Sequence, residues 1–156
     1  NIIPNKKIDP NNYIEPDELV NLIEVFWNEK DRFIDDYVQK NPLNLTYRNL
    51  NIIKDFKYGM RKNFLLAVYE KNYTVLNDEG INYMVKGLNE NLDQFIPAEK
   101  TPMLIQTAIM PFNSMIIYDG FISTADMQLS QELVSKAFED YSYGQKIYSL
   151  LPKKMN

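Results

Sequence analysis

Cysteine and histidine are both absent from the 156 residues of this chain. Their absence excludes thiol nucleophiles, disulfides, Cys/His zinc sites, histidine-assisted triads and imidazole acid–base catalysis. We therefore predict no cofactor and no metal centre. Aspartate, glutamate, lysine, tyrosine and serine can still perform chemistry, so the composition favours a non-catalytic protein without excluding an enzyme.

An excess of positive charge and a long apolar run are also missing. The net charge is −4, whereas a protein that binds nucleic acid through phosphates usually carries clustered lysine and arginine, so a nucleic-acid partner is disfavoured. No window approaches the roughly 18 consecutive apolar residues of a membrane span. No basic start precedes an apolar core, as it would in a signal peptide. We expect a cytoplasmic protein with no membrane partner.

The chain does contain ample material for a core, since 45% of its residues are hydrophobic and 13% are aromatic. These fractions predict one globular domain over residues 1–156. Residues 1–14 hold two prolines and several Asn and Asp residues, a composition typical of an irregular lead-in. Beyond them we predict a helical part over 16–60, then a sheet with a C-terminal helix over 64–156. The predicted fold class is α+β.

The central feature of the sequence is residues 103–122, where two apolar runs flank a short polar break. Within that break Pro111 cannot donate a ladder hydrogen bond, and Asn113 and Ser114 favour turns. The isoleucines and aromatic residues of both runs are typical of strands. We therefore predict a central β-hairpin that is buried on most of both faces and covered by the other elements.

Two N-terminal helices are predicted before this hairpin. Pro16 suits a first helical position, and the first helix, interrupted by Lys30, ends before Asn41-Pro42. Thr46 is the expected N-cap of a second helix that closes near Gly59. The first helix carries an apolar stripe at near-helical spacing, formed by Leu19, Ile23, Phe26, Phe33 and Tyr37.

The remaining elements complete a mainly antiparallel sheet of about five strands. Alternation and turn residues predict a meander with strands over 64–69, 73–76 and 81–88. A C-terminal helix is predicted over 125–143, because Ser123 and Asp126 have capping-box spacing. A last short strand is predicted over 147–151.

The motif Met-Pro-Phe-Asn-Ser-Met-Ile-Ile-Tyr-Asp-Gly at 110–120 resembles the Leu-Pro-Phe-x-x-x-Ile-Ile-Tyr-Asp-Gly signature of an uncharacterised bacterial family. The matching residues are Pro111, Phe112, Ile116, Ile117, Tyr118, Asp119 and Gly120, with Met110 in place of the leucine. Looser similarity extends from about Phe26 to Leu151. The resemblance implies a bacterial origin and no established activity. Relatives are often linked to a Cys-rich SEC-C metal-binding tail, which a chain without cysteine does not carry.

Asp119 is the most attractive candidate for chemistry. It could serve as a lone general base or a magnesium ligand at a strand end. An Asp-Gly pair more often marks a bend in which the carboxylate accepts backbone N–H groups, and this structural interpretation is favoured. A metal-dependent hydrolase centred on Asp119 requires at least two further carboxylates close to it.

Charged residues before the hairpin provide two more candidates. A basic cluster, with Lys57 and Arg61 one helical turn apart, could contact phosphate: Lys54, Lys57, Arg61 and Lys62. The first helix carries an acidic set that could be a cation site or docking face: Glu24, Glu29, Asp31, Asp35 and Asp36. Ordinary solvated surfaces are favoured for both. Of the consecutive aromatics Phe26 and Trp27, we expect one to face the core and the other a groove or partner.

These observations favour a non-catalytic interaction or regulatory domain with a protein partner or self-association. Such a domain should expose a contiguous apolar patch. The first alternative is a nucleic-acid-associated protein that uses the basic cluster over 54–62. The second is the hydrolase centred on Asp119.

Overall fold

The computed structural model of the chain describes residues 15–87, 91–124 and 128–153. The fold is α+β, as predicted, and no helix in these ranges is long and apolar enough to cross a membrane. The described ranges contain four α-helices: α1 (Pro16–Asn28), α2 (Lys30–Lys40), α3 (Tyr47–Asp55) and α4 (Gln131–Tyr143). They also contain seven strands: β1 (Met60–Tyr69), β2 (Thr74–Asp78), β3 (Ile81–Lys86), β4 (Met103–Phe112), β5 (Met115–Tyr118), β6 (Ser123–Thr124) and β7 (Gln145–Ile147).

Five of the strands close into a small barrel. The order is β1-β2-β3-β5-β4, and β4 pairs back with β1. β1 can pair with both β4 and β2 because it has ten residues. Its first seven residues pair with β4, and its second half pairs with β2. The register shifts between Leu66 and Val68, and a bulge of this kind bends a strand around a barrel corner.

The sheet of the described residues is mixed and has seven strands, where a mainly antiparallel sheet of about five strands was predicted. β3 runs parallel to both β5 and β7, while the other five pairings are antiparallel. Closing the barrel requires the central hairpin to lie against β3, a relationship that local sequence patterns do not carry. The strand that was not predicted is β6, which has only two residues.

The central hairpin is confirmed, with a turn at Asn113-Ser114 between β4 and β5. Asn113 adopts a φ of 54°, which asparagine tolerates well in tight turns. β4 is buried on both faces over its middle, where Ile105, Ala108 and Ile109 are at most 1% exposed. The barrel core also includes buried residues from the connection before β4, namely Leu92 and Ile96.

The N-terminal helical part differs from the prediction in two places. The predicted first helix is two helices, since the chain breaks at Glu29, whose φ is −127°. The helical part ends at Tyr58, after a short 3-10 turn, and β1 begins at Met60. The register pairs Met60 with Ile109, so these residues gain ladder hydrogen bonds with β4 that override their local preference. Thr46 caps α3 as expected, accepting a hydrogen bond from the Asn49 N–H at 3.3 Å.

The C-terminal helix begins later than the predicted 125–143. Ser130 caps α4 and accepts a hydrogen bond from the Leu133 N–H at 3.2 Å, whereas Ser123 pairs with Gln106 as part of β6. Asp126, Leu88 and the predicted lead-in over 1–14 lie outside the described residues. The last strand is 145–147 rather than 147–151, because its register is fixed by pairing with β3.

Candidate docking groove

An apolar groove of about 840 Å³, open to solvent, lies between α1, α2 and the outer side of the barrel. Its lining is almost entirely apolar and includes Leu22, Ile23, Phe26, Phe33, Ile34 and Met110. Polar groups are few: Asp36 and Lys40 come from α2, and Asp119 follows β5. This volume and this scarcity of polar groups are typical of binding sites.

The groove exists because the apolar stripe of α1 has incomplete cover in the described structure. The stripe predicts a buried face, yet no residue of α1 is fully buried. Ile34 of α2 is buried, at 3% exposure, and marks where the groove meets the packed interior. Next to the lining residue Leu19, Val20 is 54% exposed. Apolar side chains that recur at helical spacing and remain partly exposed indicate a contact surface.

Three aromatic rings form one wall of the groove. Phe26 stands edge-on to Trp27, with ring centroids 5.4 Å apart, and stacks on Phe33 of α2 at 6.1 Å. Both Phe26 and Trp27 line the groove and both are half-buried, so the expected division between core and groove does not occur. Gly59 allows this arrangement, because a Cβ there would lie only 3.1 Å from Trp27 Cη2 and 2.9 Å from the Ile109 carbonyl oxygen.

Asp119 lies in the groove lining, at a bend after β5. Its backbone N–H donates to the Ala108 carbonyl at 3.1 Å, and its Oδ1 accepts from the Phe121 N–H at 3.0 Å. The next residue, Gly120, has a φ of 87°, a conformation that glycine adopts without strain. The Asp-Gly pair therefore builds the bend that the structural interpretation requires, and the bend presents Phe121 to the groove.

The electrostatics of Asp119 are dominated by its partial burial. Desolvation raises the pKa of its carboxyl group, and this outweighs the opposing effects of the Phe121 N–H, the positive charge of Arg61 and the Trp27 side chain. The described residues contain no group of three or more acidic side chains that could hold a metal ion. The carboxylate neighbours that the hydrolase hypothesis requires are thus missing from the described structure.

The other motif residues frame the same hairpin. Pro111 and Phe112 end β4, where they pair with Ile116 and Met115. Tyr118 ends β5 and pairs with Ile109. The signature that carries the family resemblance is therefore the turn of the central hairpin and the bend after it.

The four residues of the predicted basic cluster do not form a single basic face. The expected helical spacing of Lys57 and Arg61 is wrong, since Lys57 lies in a 3-10 turn and Arg61 lies in β1. Arg61 and Lys62 are neighbours in a strand and point to opposite sides. Lys54 lies on α3, with its Nζ 6.0 Å from the Tyr47 ring centroid.

Three of these four cations are paired with carboxylates. Lys57 pairs with Asp35, and this hydrogen bond raises the lysine pKa. Lys62 Nζ lies 2.7 Å from Asp78, which likewise raises its pKa. The Arg61 side chain is 7% exposed and contacts Glu24 at 3.4 Å and the Phe121 carbonyl at 3.3 Å. The pair with Glu24 joins α1 to β1, and the pair with Asp35 joins α2 to the 3-10 turn that precedes β1.

Sequence reasoning missed a polar cluster that links α4 and β7 to Glu70, the residue after β1. Glu70 Oε1 accepts from the Tyr141 hydroxyl at 2.6 Å and from Lys146 Nζ at 3.1 Å. These two partners lower the pKa of Glu70, the Tyr141 hydrogen bond contributing most. No local motif signals this arrangement, because the partners are more than 70 residues apart in the sequence.

Comparisons with protein-family models, curated proteins and solved structures give no significant match. The resemblance to the uncharacterised bacterial family therefore stays a prediction.

Proposed function

We propose that this chain is a non-catalytic interaction domain that binds an apolar segment of a protein partner in the groove between α1, α2 and the barrel. The observation that carries the proposal is the continuous apolar lining of a groove open to solvent. Exposed apolar surfaces of this kind commonly mark protein contacts. A helix laid into such a groove would bury the apolar stripe of α1, as in other helix-in-groove complexes.

The aromatic wall supports the same function. Phe26, Trp27 and Phe33 present large, stiff side chains, which supply much of the binding energy at protein interfaces. The alternatives have weaker support. The described residues contain no group of three or more acidic side chains that could hold the metal ion of a hydrolase. Three of the four cations over 54–62 are paired with acidic side chains.

The only tryptophan in the chain, Trp27, lines the groove and provides a direct readout. The test uses a labelled amphipathic peptide of about 16 residues, free of tryptophan, with leucines at helical spacing on one face. We expect binding to shift the Trp27 emission and raise the anisotropy of the label.

A groove variant and a surface control make the test specific. Ile23→Asp should weaken binding at least about tenfold, because it puts a charge among apolar anchors. Leu43→Asp should leave binding unchanged, since Leu43 is 72% exposed and is not among the lining residues. Equal binding by wild type and Ile23→Asp, or no binding by either, would refute the proposal.

A further inference from the structure

We infer that the groove is built for a segment whose apolar anchors are flanked by lysine or arginine. This inference rests on the proposed function and names the chemistry of the partner. It starts from the distribution of charge between the two helices that frame the groove and the rest of the molecule.

The negative charge of the protein is concentrated on α1 and α2. Residues 15–40 contain eight acidic and three basic side chains, whereas the rest of the chain contains 13 acidic and 14 basic ones. Lys57 and Arg61 pair with Asp35 and Glu24 from outside this segment. Even with both of them included, acidic groups outnumber basic groups eight to five in this set.

Of the acidic groups in the described residues, only Asp36 and Asp119 line the groove. Asp36 pairs with Lys40 at 3.1 Å, and Asp119 has Arg61 nearby. The charges that line the groove are thus largely compensated, and the groove interior suits uncharged apolar anchors.

Glu29 and Asp31 are also paired, with Arg32 at 2.8 Å and Lys30 at 3.1 Å. The net excess of acidic charge on α1 and α2 therefore acts on whatever flanks those anchors, because the field of a charged face extends about a Debye length into solvent.

This charge pattern favours some candidate ligands of the groove and opposes others. A second copy docked symmetrically would bring two acidic pairs of helices face to face, which like-charge repulsion opposes. An anionic amphiphile or a nucleic acid would meet the same repulsion. A basic amphipathic segment satisfies both the apolar lining and the acidic frame. α1 has 13 residues and spans about 20 Å, so a partner helix of similar length could lie along it.

The test compares two peptides with identical apolar anchors, one flanked by lysines and the other by glutamates. Binding to the full chain is followed through Trp27 emission and the anisotropy of the labelled peptide. We expect the lysine peptide to bind at least about tenfold more tightly at low salt. The ratio should shrink towards one near 0.5 M salt, because screening weakens interactions between exposed charges.

Matched charge variants test whether the preference for the lysine peptide comes from the acidic groups of α1 and α2. Asp17→Asn with Asp31→Asn removes two acidic charges from the helices around the groove and should reduce the preference for the lysine peptide several-fold. Glu132→Gln with Glu139→Gln makes the same change on α4, which packs against β1, β2 and β3, and should leave the preference unchanged.

The possible failures are distinguishable. If neither peptide binds, the proposed function fails and this inference fails with it. If both peptides bind equally well at low salt, or the glutamate peptide binds more tightly, the groove binds segments but the inference about charge is wrong. If Ile3→Asp with Ile8→Asp increases the affinity for both peptides, the N-terminal residues of the chain itself occupy the groove, and a partner segment is not its native ligand.

Discussion

At the scale of single residues, Asp119 contributes both to the fold and to the lining of the groove. Its backbone and carboxylate hold the bend after β5, and its carboxyl group meets the groove. Burial raises the pKa above the ordinary value of 3.8. A raised pKa means that the folded protein binds the proton more tightly than the unfolded chain. Ionisation of Asp119 therefore opposes folding.

Asp119→Asn should remove this pH-dependent penalty while keeping an acceptor for the Phe121 N–H. Linkage gives the sign of the effect. In the wild type, the contribution of Asp119 to the free energy of unfolding is most favourable below pH 3.8 and declines as the pH rises through the raised folded-state pKa. The free energy of unfolding of Asp119→Asn, minus that of wild type, should thus increase as the pH rises from about 3 to about 7. Urea unfolding of both proteins across this range measures the difference.

Asp119→Ala is the companion variant, because it removes the acceptor as well as the charge. We expect it to be less stable than Asp119→Asn by about 1–2 kcal/mol at neutral pH, since the Phe121 N–H loses its partner. Equal stabilities for the two variants would show that the hydrogen bond contributes little to the bend.

At the scale of elements, α4 is fixed to the barrel through a buried asparagine on β3. Asn82 is fully buried, and its Nδ2 donates to the Asp140 carbonyl near the C-terminus of α4 at 3.0 Å. Its Oδ1 accepts from Asn77 Nδ2 on β2, also at 3.0 Å. The side chain thus supplies a C-terminal cap to a helix from a distant part of the sequence.

Asn82→Asp should destabilise the protein by at least about 2 kcal/mol, because it replaces a buried donor with a charge facing a carbonyl oxygen. Asn63→Asp on β1 is a matched control at an exposed position and should change stability by less than about 0.5 kcal/mol. Chemical denaturation of both variants provides the measurement. A small loss for Asn82→Asp would mean that α4 is held mainly by its apolar contacts.

At the scale of the whole molecule, stability should be distributed unevenly between barrel and helices. The barrel has closed hydrogen bonding and a core that includes the fully buried Phe64, Leu66 and Ile109. α1 has no fully buried residue and borders an open groove. Local opening free energies generally follow burial and contact density, so α1 is the element expected to open most readily.

Native-state hydrogen exchange should show this difference in local stability between the barrel and α1 directly. We expect the amides of β1 and β4 to exchange slowest and those of α1 to exchange at least about 100-fold faster. Addition of the lysine peptide should slow exchange in α1 and leave β1 unchanged, because the peptide covers only the groove. Exchange in α1 as slow as in β4 would indicate that the groove face is already covered.

Local signals predicted the elements well where short-range chemistry decides them. The Thr46 cap, the turn at Asn113-Ser114 and the strands of the central hairpin follow from side chains close in sequence. The errors occur where distant residues decide. Ser130 rather than Ser123 caps α4, since Ser123 pairs with β4, and Met60 joins a strand because β4 lies beside it.

The candidate site was less predictable than the fold. The apolar stripe of α1 and the acidic residues of α1 and α2 are visible in the sequence, but a stripe does not reveal whether another element covers it. The cations over 54–62 look like a cluster in the sequence, whereas the fold disperses them into pairs with Glu24, Asp35 and Asp78.

The sequence by itself determined the α+β class, the central hairpin, and the absence of thiol and imidazole chemistry, because these depend on composition, period and local turns. Tertiary structure decided the closure of the barrel, the parallel contacts of β3 and the groove beside Asp119. The physical reason is that each of these joins residues that are distant along the chain. Their pairing depends on how the whole set of apolar faces and charges is satisfied together.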